Sequence, residues 1–287
     1  MTDKNSARKS RYLFSFTEVI IFLVVSGLLV GFVLSIGTIL ELSRMRAQIS
    51  QLSHFDEAVT NFHEKFDGLP GDLLSVVAER EGLPAGNGTP SHSDGDGKIS
   101  PCNPGWQNHL GCETALFWTH LASTGFIPGD FNADNRLTDE RLVDVSVTLA
   151  PYLPQSPIRE GVYVAVWNSD DEQPSPPPAL PYGNYFELSR LMGIVDEKIV
   201  DDPGALMPKE AFAIDEKMDD GSPVKGRILV NGNGKWPEDA WGSLAKPDEK
   251  GCVAPNKTYN TANYFIAAMP TCHLAVAITC CRGAREK

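Results

Sequence analysis

The chain has 287 residues, enough for one sizeable domain or two small ones beyond any membrane segment. Apolar residues make up 42% and charged residues 22%, which excludes a disordered chain. The net charge of −12, on a chain whose extreme amino terminus is basic, excludes a body built to wrap a nucleic-acid backbone.

Residues 1–13 read as a basic leader: Lys4, Arg8, Lys9 and Arg11 are opposed only by Asp3. The stretch LFSFTEVIIFLVVSGLLVGF follows, Leu13 to Phe32, with one charge, Glu18. From Val19 to Leu40 the chain is uncharged, and as a helix that run spans about 33 Å, enough for a bilayer core. A transmembrane helix over residues 14–40 is therefore expected, with the basic leader cytoplasmic and the rest of the chain across the membrane. Arg44 and Arg46 oppose that bias, and Glu41 offsets part of them. A cleaved secretory signal is the competing reading, with Ser35 and Gly37 as its small-x-small site. Its apolar core should run only about 7 to 15 residues, so a retained anchor is preferred. Glu18 needs its own explanation, because a carboxylate in hydrocarbon normally has a partner and a task. An interfacial Glu reaching back to headgroup water is the simpler alternative.

Counted from Phe14, Glu18 is fifth and Gly27 fourteenth in FSFTEVIIFLVVSGLLVGFVL. This start resembles that of type IV pilins and of the pseudopilins of type II secretion. The resemblance implies a prepilin-type leader cut between Leu13 and Phe14 by a prepilin peptidase, with methylation of the new terminus. It also implies assembly through the apolar helix, with Glu18 paired to the amino terminus of a neighbouring subunit and Gly27 on the same segment. The family has Gly before the cut; this chain has Leu13.

Beyond the anchor, Met45, Ile49, Leu52, Phe55, Val59, Phe62 and Phe66 recur at steps of three and four. Residues 41–67 are thus expected to extend the same helix with one apolar stripe against a core, about 50 helical residues in all. Asp67-Gly68 is the stop, followed by Leu69-Pro70-Gly71-Asp72. This stretch also resembles a subset of pilin-like proteins, down to the Leu-Pro-Gly-Asp. His54 and His63 fall off the stripe and read as solvated.

Residues 68–287 read as an α+β head with an antiparallel sheet packed on the helix stripe, a pilin-like arrangement. A short helix is expected from Glu113 to Ser123, with Leu116, Phe117 and Leu121 inward and Gly125 as a stop. EGVYVAVWN, GRILVNG and TCHLAVAITCC read as strands. ELSRLMGIVDEKIVDD and PKEAFAIDEKMDDGSP read as short helices. A Pro-rich extended loop lies near 172–183.

All six cysteines lie beyond the anchor, where the expected compartment permits disulfides. Cys102 and Cys112 could pin the loop between them, and Cys252 could pair with Cys272, Cys280 or Cys281. The adjacent Cys280 and Cys281 are expected to bond elsewhere rather than to each other. DFNADNRLTDE places Asp130, Asn132 and Asp134 at the first, third and fifth positions of a calcium-type loop. Asn135 stands where Gly is expected and Arg141 where the closing acid belongs, so Glu140 would have to substitute. SDGDGKI offers Asp94 and Asp96, half a site. Calcium is thus the one candidate cofactor.

The sequence contains no nucleophile elbow, zinc-binding H-E-x-x-H, P-loop or dinucleotide-binding glycine motif. Ser222-Pro-Val-Lys225 has Ser-x-x-Lys spacing but reads as a turn. The expectation is a non-enzymatic, minor subunit of a type IV pilus or pseudopilus, anchored in a bacterial inner membrane with a disulfide-bonded periplasmic head. Its partners would be other subunits, the membrane and the peptidase, with no nucleic acid. The alternative is a single-pass anchored periplasmic enzyme or ligand-binding protein that keeps its leader.

Overall fold

The structure is a computed structural model. It describes residues 15–85, 93–100, 112–131, 152–169, 181, 183–195, 198–201, 204–230, 249, 251–262 and 269–280, the side chains of 31–39 and 191–201 excepted. The chain divides into two compact units, residues up to Arg44 and from Met45 onward.

Helix α1 runs unbroken from Phe16 to Phe66, 51 residues without a proline, as the sequence leads one to expect. It stops where expected too. Asp67 takes a left-handed φ of 53° while its N–H donates to the His63 carbonyl, and Pro70 follows shortly after. In the first unit, large apolar side chains from Phe16 to Val30 stand exposed on every side of the helix. In the second unit the stripe is buried: Leu52, Phe55, Val59 and Phe62 are each at most 5% exposed. Among the described residues, no helix is long and apolar enough to cross a membrane.

Two short helices follow, α2 (Ser75–Arg80), which the sequence reading missed, and α3 (Glu113–Ser123), which it placed. α3 is buried on all sides as far as Leu121, beyond the three inward residues expected. The sheet is antiparallel, built from β1 (Val162–Ser169), β2 (Gly183–Val195), β4 (Ile228–Val230) and β5 (Leu274–Ala277) in the order β1-β2-β5-β4. β3 (Lys198–Asp201) pairs with the far half of β2, from Leu191 to Val195, across an irregularity between Leu191 and Gly193. Helix α4 (Pro208–Met218) precedes β4. The α+β class and the antiparallel sheet are as expected.

ELSRLMGIVDEKIVDD, expected as a helix, is instead β2 and β3. Its Leu spacing suits a helix, but Tyr185, Glu187 and Ser189 alternate with Phe186 and Leu188 at the strand period of two. β1 and β5 supply ladders on both edges, with Glu187 opposite Ala165 and Ala275. A polar residue inside a central strand hid the pattern, and pairing overrode local preference.

One face of the sheet offers Val164, Val166, Phe186, Leu188, Leu274 and Val276 to the core that holds the α1 stripe and α3. The other face is buried as well, around Trp167, Tyr185, Leu229, Ala275 and Ala277. There Glu187, fully buried, accepts the Trp167 indole N–H at 2.7 Å, with His273 Nδ1 3.9 Å away. Polar contacts fix α1 against its surroundings. Gln48, also fully buried, accepts from Ser156 Oγ at 2.5 Å, and Gln51 donates to the Gln155 carbonyl at 2.9 Å. Asp56 accepts from the Thr279 amide at 2.9 Å and the Thr279 hydroxyl, and pairs with Arg227 at 3.1 Å.

Candidate functional site

The residues singled out in the sequence fall in two places, the start of α1 and the loops after its end. At the start, Ser15 is the residue before the first helical turn, and its carbonyl accepts from the amides of Glu18 and Val19. Glu18 Oε2 accepts the Ser15 N–H at 2.8 Å. The Ser15 hydroxyl is turned toward Thr17 Oγ1, 2.8 Å away. Glu18 is thus the acidic member of a Ser-x-x-Glu capping pattern. That spacing was legible in the sequence and was missed. A Cβ built on Gly27 meets nothing within 4 Å, so this chain by itself has no steric need of Gly there. Leu13 and Phe14 lie outside the described residues.

At the other end, the Leu69-Pro70-Gly71-Asp72 turn brings Asp72 under the SDGDG loop. Asp72, 2% exposed, accepts from the amides of Gly95 at 2.7 Å, Asp96 at 3.2 Å and Gly97 at 2.7 Å. Glu113, fully buried at the start of α3, takes the two ends of the same loop, Ser93 N–H at 2.9 Å and Ser100 N–H at 2.8 Å. Eight residues of loop are thereby strapped to two buried carboxylates by five amides. Burial pushes the Asp72 carboxyl up to about 7 and that of Glu113 up to about 8, against the pull of those amides; Asp96 and Asp94 add to the rise at Asp72, and Asp72 and Asp94 to the rise at Glu113.

His120 is also fully buried and holds the turn. The Gly71 N–H donates to its Nδ1 at 3.0 Å, so the ring proton sits on Nε2 and donates to the Pro84 carbonyl at 2.6 Å. Burial holds this imidazole below its usual range, in the neutral form that the bond requires. Gly71 explains its place in the motif. Its φ is +87°, and a Cβ there would collide with the Glu113 carbonyl oxygen and sit 3.1 Å from the Phe117 amide. Gly71→Ala is expected to cost about 3 kcal/mol or more, from left-handed strain plus the collision, read as a lowered urea midpoint.

Oxygens of Asp72, Asp94 and Asp96 come within 4.8 Å of one another, so the half-site from SDGDG gains a third carboxylate from the Leu-Pro-Gly-Asp turn. Three carboxylates suit a hard divalent cation. The loop is also complete as a turn: Asp94 Oδ1 accepts the Asp96 amide and Asp96 Oδ1 the Lys98 amide. A half-open groove of about 230 Å³ lies beside it, lined by Phe66, Leu69, Leu73 and Val77 together with His63 and Asp72. His63, expected in solvent, is half-buried, and its Nδ1 finds no partner among the described residues.

The sequence's stronger calcium candidate fares differently. Asp130 is exposed, and Asn132, Asp134 and Glu140 lie outside the described residues. A second acidic group, unforeseen, is Asp215 in the last part of α4 with Asp219 and Asp220 just after it. These oxygens act as fasteners. Asp215 Oδ2 accepts the Tyr259 hydroxyl at 2.7 Å, and Asp219 Oδ2 takes the amides of Arg227 and Ile228. Ser222–Lys225 is a turn, with the Lys225 amide on the Ser222 carbonyl at 3.3 Å. Of the pairings open to Cys252, the structure has Cys252–Cys272, Cα atoms 5.0 Å apart. Cys112 and Cys280 are disulfide-bonded as well, while Cys102 and Cys281 lie outside the described residues.

Compared with protein-family models, with curated proteins and with solved structures, the chain matches none.

Proposed function

We propose that the chain is a minor, pilin-like subunit that assembles through its amino-terminal helix, anchored in a bacterial inner membrane with its disulfide-bonded head in the periplasm. The observation that carries the reading is the composition of α1 along its length. One helix of 51 residues exposes apolar side chains on all sides in its first unit and buries a single stripe in its second. A helix apolar all round is at home in lipid or among other helices, not in water. The disulfides support an oxidising compartment for the head. The pilin-type spacing of Glu18 and Gly27 from Phe14 supplies the family.

The test is Glu18→Ala in the full chain. Its incorporation into cross-linked assemblies should fall to background while its membrane insertion stays at the wild-type level. Unchanged assembly would sink the reading. The rival, an anchored enzyme or ligand-binding protein, is favoured by Leu13 before the cut and by the half-open groove beside Asp72. It requires Glu18→Ala to be silent.

A further inference from the structure

We propose that Ser15 holds Glu18 in cis, as a lock on the carboxylate that assembly would need; this deepens the assembly reading and rests on it. The Glu18 carboxylate is not idle in the single chain. It accepts the Ser15 amide at 2.8 Å, the Ser15 carbonyl is tied by the amides of Glu18 and Val19, and the Ser15 hydroxyl meets Thr17. An exposed amide at a helix start and a carboxylate one turn on satisfy each other, each removing the other's cost at a hydrocarbon edge. A second copy offering a cationic N–H donor therefore does not meet an unpaired acid. It must displace the cap, losing one charge-assisted hydrogen bond to gain another. The lock keeps single subunits in the membrane until enough copies are present to compete for Glu18. Residue 15 sets that threshold through its N–H, not through its side chain.

The lock is separable from the assembly it restrains. Ser15→Pro deletes the N–H and suits the start of a helix. Ser15→Ala keeps the N–H. Glu18→Gln keeps an acceptor for the cap but has no charge for a partner. Chain extracted from its native membrane, with the amino terminus it carries there, is placed in vesicles of phosphatidylethanolamine and phosphatidylglycerol, and self-association is followed by chemical cross-linking across chain-to-lipid ratios. A charge-assisted hydrogen bond corresponds to roughly tenfold or more in an equilibrium, so Ser15→Pro should associate about tenfold more readily than wild type. Ser15→Ala should match wild type, and Glu18→Gln should not associate in either background. If Ser15→Pro associates no better than wild type while Glu18→Gln fails, the lock is overturned and the assembly reading stands. If Glu18→Gln associates as wild type does, the assembly reading falls with it.

Should Ser15→Pro not insert, amide exchange in detergent micelles, at monomer concentration, decides the matter. The Ser15 amide should exchange about tenfold more slowly in wild type than in Glu18→Ala. Equal rates overturn the lock.

Discussion

Trp118→Ala is expected to strip away a large part of the head's stability. Trp118 is fully buried on α3, packed edge-on against Phe55 of α1 and Phe117 at ring distances of 4.9 Å each, and 6.1 Å from Phe186 of β2. It therefore joins the three elements that make the core. Removing a large buried aromatic costs about 3–5 kcal/mol, against a whole-domain stability of about 5–15 kcal/mol. The indole N–H finds no acceptor among the described residues. A buried unpaired donor carries its own penalty, so Trp118→Phe, which removes it while keeping a ring, should cost no more than about 1 kcal/mol. Urea unfolding followed by far-ultraviolet circular dichroism distinguishes the two. A Trp118→Phe loss as large as that of Trp118→Ala would mean that the indole nitrogen is bonded after all.

The second large effect is on pH. Asp72, Glu113 and Asp215 have carboxyls raised in the folded chain to about 7, 8 and 7, from ordinary values of 3.8, 4.5 and 3.8, burial being the main cause each time. Between the ordinary and raised values the folded chain holds protons that the unfolded chain has lost. Stability must therefore fall as pH rises through that window and level off above about 8. His120 works the other way in acid: buried neutral, it favours unfolding below its ordinary value of 6.5. The clean interval is thus pH 6.5 to 8, where the acids act without it. Urea midpoints taken with a chelator present should drop across this interval. Glu113→Gln should flatten the upper part of the curve, because it removes the carboxyl that titrates highest. A midpoint that climbs from pH 6.5 to 8 would contradict the raised titration of these buried carboxyls.

What the sequence revealed and what it hid follows from how far each signal reaches along the chain. The α1 stripe, the ends of α1 and α3, β1 and α4 are written in local periodicity, in the Asp67-Gly68 and Gly125 stops, and in Pro208 opening a helix. β2 was not legible, because its logic lies in partners: Glu187 is tolerated in a central strand through groups brought to it by the fold, among them Trp167, 20 residues earlier, which donates to it. The loop strapped to Asp72 and Glu113 was half legible. Asp94 and Asp96 stand out in the sequence, but the two carboxylates that organise their loop come from elsewhere in the chain: Asp72 from the turn that follows the α1 stop, and Glu113 from the first residue of α3. His120 likewise shows its role only once Gly71 and Pro84 are brought to its two nitrogens. The Ser15–Glu18 pairing was local and could have been read.

That pairing bears on the central claim, since a capping role would by itself account for a carboxylate at this position. The most direct measurement is the intact mass, with amino-terminal sequencing, of the chain extracted from its native membrane. The account predicts a terminus at Phe14, carrying an added methyl group, despite Leu13 in place of Gly. A chain that keeps Met1–Leu13 would contradict it, leaving Glu18 as a helix cap on a permanent anchor.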